Sequence, residues 1–283
     1  MTRLQIGRRP AVVFVTVAAF SLTASAQDTS DISVTLRVQN GKTQFRLGEI
    51  IPVELSFQSR IASSYLVWTV PSRAIMGQEY DQFLVEPEQG TAIFRHPGVH
   101  GYNGPAFQPD PLGITPIKTA LTLNDWIAIR QPGHYRITVE TTRALHSLPG
   151  GRPGEPVMLR SNAVEIDAVA PEAGWVEARV KEASDIISRA GMPPHTDENE
   201  AARTLRFLGT REAAHALVRF HLDGPPGLQY EIIQGLRESP YRMEIIAELE
   251  AGIANPGAQV SQPQQVRSTL DSLKAQAVLE LIK

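Results

Sequence analysis

The stretch SNAVEIDAVAPEAGWVEARVKEASDIISRAG, Ser161–Gly191, changes its period halfway along. Up to Ala168, apolar and polar residues alternate, the period of a strand with one buried face. From Pro171 the apolar residues Val176, Val180, Ala183, Ile187 and Ala190 recur at steps of four, three, four and three, one stripe of a helix. Gly191 stops that stripe and Pro193-Pro194 seal the break. The chain therefore divides here, into an expected strand-built unit over 27–169 and an expected helical unit over 170–283. The junction VAPEAG is short, which predicts a limited range of motion between the two.

Toward the N-terminus the period stays at two. ISVTLRV (Ile32–Val38) alternates, and TQFRLGEIIPVELSFQS (Thr43–Ser59) reads as a short strand, a turn at Gly48-Glu49 and a second strand. SYLVWTV, QFLVEP, TAIFR, IKTALTL and HYRITVETT continue the series. Short strands separated by Gly/Pro turns predict an all-β sandwich or barrel. One stretch narrows this: in LNDWIAIRQPGHYRITV (Leu123–Val139), Asp125-Trp126 precede Gly133, Tyr135 and an alternating strand. This resembles the corner of immunoglobulin-like domains, where a tyrosine opens a late strand and its hydroxyl ties down the corner before it. The resemblance covers roughly 17 residues, and the chain lacks both cysteines of antibody domains. It implies an immunoglobulin-like antiparallel sandwich and says nothing of function.

Toward the C-terminus the helical period persists. HTDENEAARTLRFLG offers Thr196 as an N-cap with acids in the first turn, and TREAAHALVRFHLDG offers Thr210. Ser239 is placed to cap a later helix, with Pro240 at its first position. Leu208 aligns with Leu236, and after one residue of slack Thr210, Ala214, Leu217 and Phe220 align with Ser239, Met243, Ile246 and Leu249. Two units of two short helices, offset by 28 to 29 residues, resemble HEAT-type helical repeats, usually somewhat longer. The resemblance implies a small stack in which each helical pair buries its apolar face on the next. A plain helical bundle remains the alternative.

The first residues bear on location. Arg3, Arg8 and Arg9 precede an apolar run that ends in Ala24-Ser25-Ala26. A basic start, an apolar middle and a small-residue site are the parts of a secretory signal peptide, expected over 1–26. An uncleaved anchor is the alternative. The chain has no cysteine and no Asn-x-Ser/Thr sequon, which with export fits a bacterial envelope protein, secreted or periplasmic. Net charge is −3, and loss of the leader's three arginines makes it −6. That excludes the basic face of a nucleic-acid binder. After leader cleavage no stable membrane insertion is expected.

The richest stretch for chemistry is HPGVHGYNGPAFQPDPLG, His96–Gly113. His96 and His100 stand four apart, but Pro97 and the glycines prevent the helix that would put both imidazoles on one face. A third metal ligand could be Asp110 or His134. The simpler reading is a long inter-strand loop that contacts a partner, with Tyr102 and Phe107 as aromatic anchors among Gly, Asn and Pro. Asp81, Glu86 and Glu88 offer carboxylates, but nothing sets two of them apart for acid–base work. His221 falls on an apolar helical stripe and reads as a core residue. His146 falls in an expected flexible loop, His195 in a Pro-rich break. Arg37, Arg46 and Arg136 read as a solvated sheet face, and at least two of Trp68, Trp126 and Trp175 as core. No phosphate loop, nucleophile elbow or zinc-protease motif occurs.

The expectation is an exported, non-enzymatic binding or scaffolding protein without cofactor, whose partner is another envelope or secreted protein. It would act through His96, His100, Tyr102 and Phe107 or through the helical surface. The alternatives are a metal-dependent hydrolase using the loop histidines, and a carbohydrate-binding or protease-inhibitor-like sandwich.

Overall fold

The computed structural model describes residues 31–70, 74–75, 78–94, 108–191, 196–255 and 261–282. The expected leader over 1–26 and His195 lie outside them. A mostly β region is followed by six helices.

The strands are β1 (Ile32–Val38), β2 (Gln44–Arg46), β3 (Pro52–Ser59), β4 (Tyr65–Val67), β5 (Ala74–Ile75), β6 (Gln78–Glu79) and β7 (Asp81–Glu86). Then come β8 (Thr91–Ile93), β9 (Asp110–Leu112), β10 (Ile117–Thr122), β11 (Ile127–Ile129), β12 (Gly133–Leu148), β13 (Arg152–Arg160) and β14 (Val164–Val169). One sheet has the order β1-β3-β10, all antiparallel. The larger is organised by the 16-residue β12, which carries β14 and then β13 along one edge, and β7 and then β4 along the other. β9 lies outside β4, and β2 lies outside β14 in parallel.

Alternation decides what faces inward. Ile32, Val34 and Leu36 of β1, Val53, Leu55 and Phe57 of β3, and Tyr135, Ile137 and Val139 of β12 share one buried cluster, so the inner faces of both sheets meet in a common core. The corner between β10 and β12 is tied as expected: the Tyr135 hydroxyl donates to the Gln131 carbonyl at 2.9 Å. Trp126 is buried there beside Phe83, ring centroids 5.0 Å apart. Asn124 stitches this corner to the β2–β3 turn, accepting from the Ile51 N–H at 2.8 Å and donating to the Glu49 carbonyl at 3.0 Å. Asn162 does similar work between sheets: its amide accepts from the Leu36 N–H at 2.9 Å and donates to the Leu36 carbonyl at 3.1 Å, copying a ladder pair with a side chain.

ALHSLPGGRPGEP is not a flexible loop: β12 runs on to Leu148, turns at Gly150-Gly151 (φ 82° and 72°) and returns as β13. Pro153 and Pro156 are tolerated because β13 pairs only with β12 among the described residues, leaving it at an edge. His146 is accordingly a strand residue, its ring tilted at 37° against Tyr65 with centroids 5.3 Å apart. The stretch ending at Gly113 also closes earlier than expected, since Asp110–Leu112 form β9.

The helices are α1 (Trp175–Ser188), α2 (Thr196–Leu208), α3 (Arg211–Asp223), α4 (Gln229–Glu238), α5 (Arg242–Ala254) and α6 (Pro263–Ile282). Their buried side chains form a second cluster. α2 packs on α4, α3 on α5 and α6 on α5. Thr210 caps α3 as expected, its hydroxyl accepting from the Ala213 N–H at 3.3 Å, a contact worth about 1 kcal/mol. Ser239 does not cap α5: the helix begins two residues past Pro240, and the Ser239 hydroxyl accepts from the Tyr241 N–H at 3.2 Å in a local turn. Among the described residues no helix is long and apolar enough to cross a membrane.

Candidate functional site

The β region and the helices meet along a cleft of about 330 Å³. Its β wall comes from the β2–β3 turn, Phe94 and the Ala128–Arg130 segment, and its helical wall from Val176, the Arg206–Thr210 turn and Pro240-Tyr241. The β2–β3 turn approaches α2 so closely that a Cβ on Gly48 would sit 2.8 Å from the Leu208 Cα, at a φ of 82° that already favours glycine.

Beside the cleft lies a charge cluster. The Arg206 side chain is only 3% exposed. Its Nε and Nη2 grip both oxygens of Glu238 at 2.7 and 2.8 Å, and its Nη1 reaches Asp125 at 3.0 Å and Glu231 at 2.9 Å. Arg203 adds a second bond to Asp125 at 2.8 Å, and both guanidiniums stack over Phe207. Burial opposes the Arg206 charge, but the hydrogen bonds and charges of Glu238, Asp125 and Glu231 outweigh it and raise its pKa. Burial raises the Glu231 carboxyl against the pull of Arg206. Asp125 belongs to the β10–β12 corner and the rest to α2 and α4, so this cluster joins the two regions.

Two further contacts hold the junction. Arg46 on β2 binds Glu172 through Nε at 2.5 Å and Nη2 at 2.9 Å, and lies over the Trp175 ring at 5.7 Å. The bond from Arg46 holds the Glu172 carboxyl down at about 2. Arg46 is thus a fastening for α1 rather than one of a row of solvated arginines, whereas Arg136 lies 3.6 Å from Glu86 on an exposed face.

A second buried pair lies inside the β region. Arg143 and Asp81 are both 0% exposed. Arg143 Nη2 and Nε reach Asp81 at 2.6 and 2.9 Å, Thr141 donates to the same carboxylate at 2.7 Å, and Arg143 Nη1 holds the Val70 carbonyl at 2.6 Å. From the sequence Asp81 counts only as one of three carboxylates, with Glu86 and Glu88, and nothing there pairs it with Arg143. The signal was present: from Tyr135 through Ile137, Val139 and Thr141, Arg143 falls on the inward phase of β12. Arg206 carries the same mark, next to Leu205 on a buried stripe.

His96, His100, Tyr102 and Phe107 all lie outside the described residues. The two third-ligand candidates are far apart. Asp110 sits level with residue 67 and hence Ala144, where it accepts from Thr69 at 2.7 Å. His134 lies ten residues back along β12, on the order of 30 Å. There its Nδ1 bonds Asp167 at 2.9 Å, which raises its pKa. Among the described residues no group of three or more metal-capable side chains is assembled. The tryptophans are dispersed: Trp126 is buried, while Trp68 and Trp175 are only half-buried, so one of the three is core and not two. His221 is buried as expected, with Nδ1 2.6 Å from Gln229 Oε1.

At the far end of the helices, Lys274–Glu250 (2.6 Å) and Arg242–Glu280 ion pairs align α5 and α6 antiparallel. This brings Met243 level with the end of α6. Met243, Val278 and Leu279 are 69%, 55% and 61% exposed.

No protein-family model matches the chain, and no curated protein matches it.

Proposed function

We propose that this is an exported, non-enzymatic binding protein of the bacterial envelope, working in the periplasm or outside the cell through contacts with another envelope or secreted protein. The observation that carries this is the exposure of Met243, Val278 and Leu279 where the start of α5 meets the end of α6. Large apolar side chains gathered at one end of a helical array are what a partner's apolar surface requires. The clusters around Arg206 and Arg143 spend their donors and acceptors on one another, which suits holding a shape rather than turning over a substrate.

In this reading residues 1–26 are a leader, 27–169 an immunoglobulin-like sandwich and 170–283 a HEAT-like stack. The sandwich is supported by the Tyr135–Gln131 bond, by a three-stranded sheet sharing a core with a larger one, and by the parallel β2–β14 pair. The stack is supported by like-on-like packing, α2 on α4 and α3 on α5. The exposed Met243, which aligns with the buried Ala214, supports a stack that presents its last pair outward.

The test is cross-linked capture from the envelope fraction, with residues 27–283 as bait. The expected result is one protein captured by the wild type and lost with Met243→Glu and with Leu279→Glu, while a bait shortened over 98–108 retains it. Loss only with the shortened loop would move the contact to Tyr102 and Phe107. Capture of nothing by any bait would defeat the binding reading.

A further inference from the structure

The cleft between the β region and the helices differs in its chemistry from the exposed apolar side chains of α5 and α6. We infer that it is a binding site for a small apolar carboxylic acid, of about the size of one amino-acid residue, with Arg130 as the group that receives the carboxylate.

The volume, about 330 Å³, falls at the low end of the range for small-ligand sites, which favour junctions between structural units. The walls are apolar and unfinished. Phe94, Ile129, Val176 and Tyr241 line the cleft and are each only half-buried. Their remaining surface is available to a ligand's hydrocarbon.

The charges on the lining can be accounted for one by one. Arg206 and Glu238 bind each other in a forked pair. Arg46 is committed to Glu172, and Glu49 to Lys42. Arg130 is left. Its side chain is exposed at the mouth, and among the described residues its one contact is to the Glu238 main-chain carbonyl at 3.2 Å. A guanidinium presents five donors in a planar fork, and one carbonyl uses little of it. The Tyr241 hydroxyl, on the same lining, makes no hydrogen bond among the described residues. One guanidinium with most of its donors unused and one hydroxyl without a hydrogen bond among the described residues, set in half-buried aromatic and aliphatic walls, complement a single carboxylate on an apolar body. They do not complement a phosphate cluster, a sugar or a cation. Gly48 keeps the cleft at this size, because the β2–β3 turn rests directly on Leu208.

The experiment is an amide-resolved NMR titration of the 27–283 chain with 3-phenylpropionate, 3-phenylpropionamide and the peptide N-acetyl-Gly-Gly-Phe. The expected result is saturable shifts at Ile129, Arg130, Gly209 and Thr210 with 3-phenylpropionate, at a Kd of about millimolar for so small a probe. The neutral amide binds about ten-fold more weakly, the cost of losing one charge-assisted bond. Arg130→Gln removes the difference between acid and amide, and Arg130→Lys keeps part of it. If the peptide binds more tightly than the free acid, the natural ligand is a chain end; if not, it is a free acid. Absence of saturable shifts with both acids overturns the proposal, as does equal binding of acid and amide, or a preference that survives Arg130→Gln. Partner capture through Met243 and Leu279 is read separately and is untouched by Arg130→Gln.

Discussion

Replacing Arg143 by methionine strands the Asp81 carboxylate in a core where both groups are 0% exposed. A buried pair broken on one side costs about 3–5 kcal/mol, whereas replacing both partners by apolar residues is far milder. Arg143→Met should therefore lower the urea midpoint sharply, and Asp81→Leu with Arg143→Met should recover most of it. Recovery stays incomplete because the Trp68 and Val70 carbonyls lose their donor. Equal midpoints for the single and double variants would show that the charge pair is not what matters. Gly48 makes a different case: an added methyl meets main chain at 2.8 Å as well as an unfavourable φ. Gly41, at φ 63°, has nothing within 4 Å of the same methyl. Gly48→Ala should cost more in Tm than Gly41→Ala, whose penalty is backbone strain alone, about 1 kcal/mol or a little more. Similar losses would mean that the turn can lift away from Leu208.

Among elements, α3 carries an acid-sensitive group. Burial lowers the His221 pKa while the bond to Gln229 opposes it, and Nε2 has no partner among the described residues. The folded pKa lies below the unfolded one, so the unfolded chain takes up the proton first. The stabilisation is complete above about pH 6.5 and is lost as pH falls below it. His221→Leu should flatten the dependence of the denaturation midpoint on pH just below 6.5, and an unchanged slope would place the sensitivity elsewhere. Elements were legible in the sequence where period and punctuation agreed. β1 is found over the residues its alternation marks, and Thr210 caps the helix it precedes. β13 was hidden because Pro153, Gly154 and Pro156 signal a loop, and only edge pairing with β12 makes them tolerable. The cleft was hidden for a different reason: Arg130, Phe94, Val176 and Tyr241 are scattered over about 150 residues and share no spacing, so only folding brings them together.

For the whole molecule, the Arg206 cluster is what should decide rigidity. With Arg206 intact, the β region and the helices should scatter X-rays as one body of fixed dimensions. Arg206→Met removes the cation that Asp125, Glu231 and Glu238 share, and the radius of gyration should rise and spread. An unchanged profile would assign the junction to Arg46, Glu172 and Trp175 instead. The long-range pairings also impose a timetable on the chain. Leu36 waits for Asn162 and Arg46 waits for Glu172, each 126 residues later. A polypeptide emerging from its N-terminus, whether from a ribosome or through a membrane pore, therefore carries β2 without its neighbour until residue 169 arrives. β1 and β3 can zip together early, but the strand that shuts the structure is the last one delivered. Closure of this region is then a late event with a long exposed prelude, the interval in which a chaperone or a neighbouring copy would have access to it.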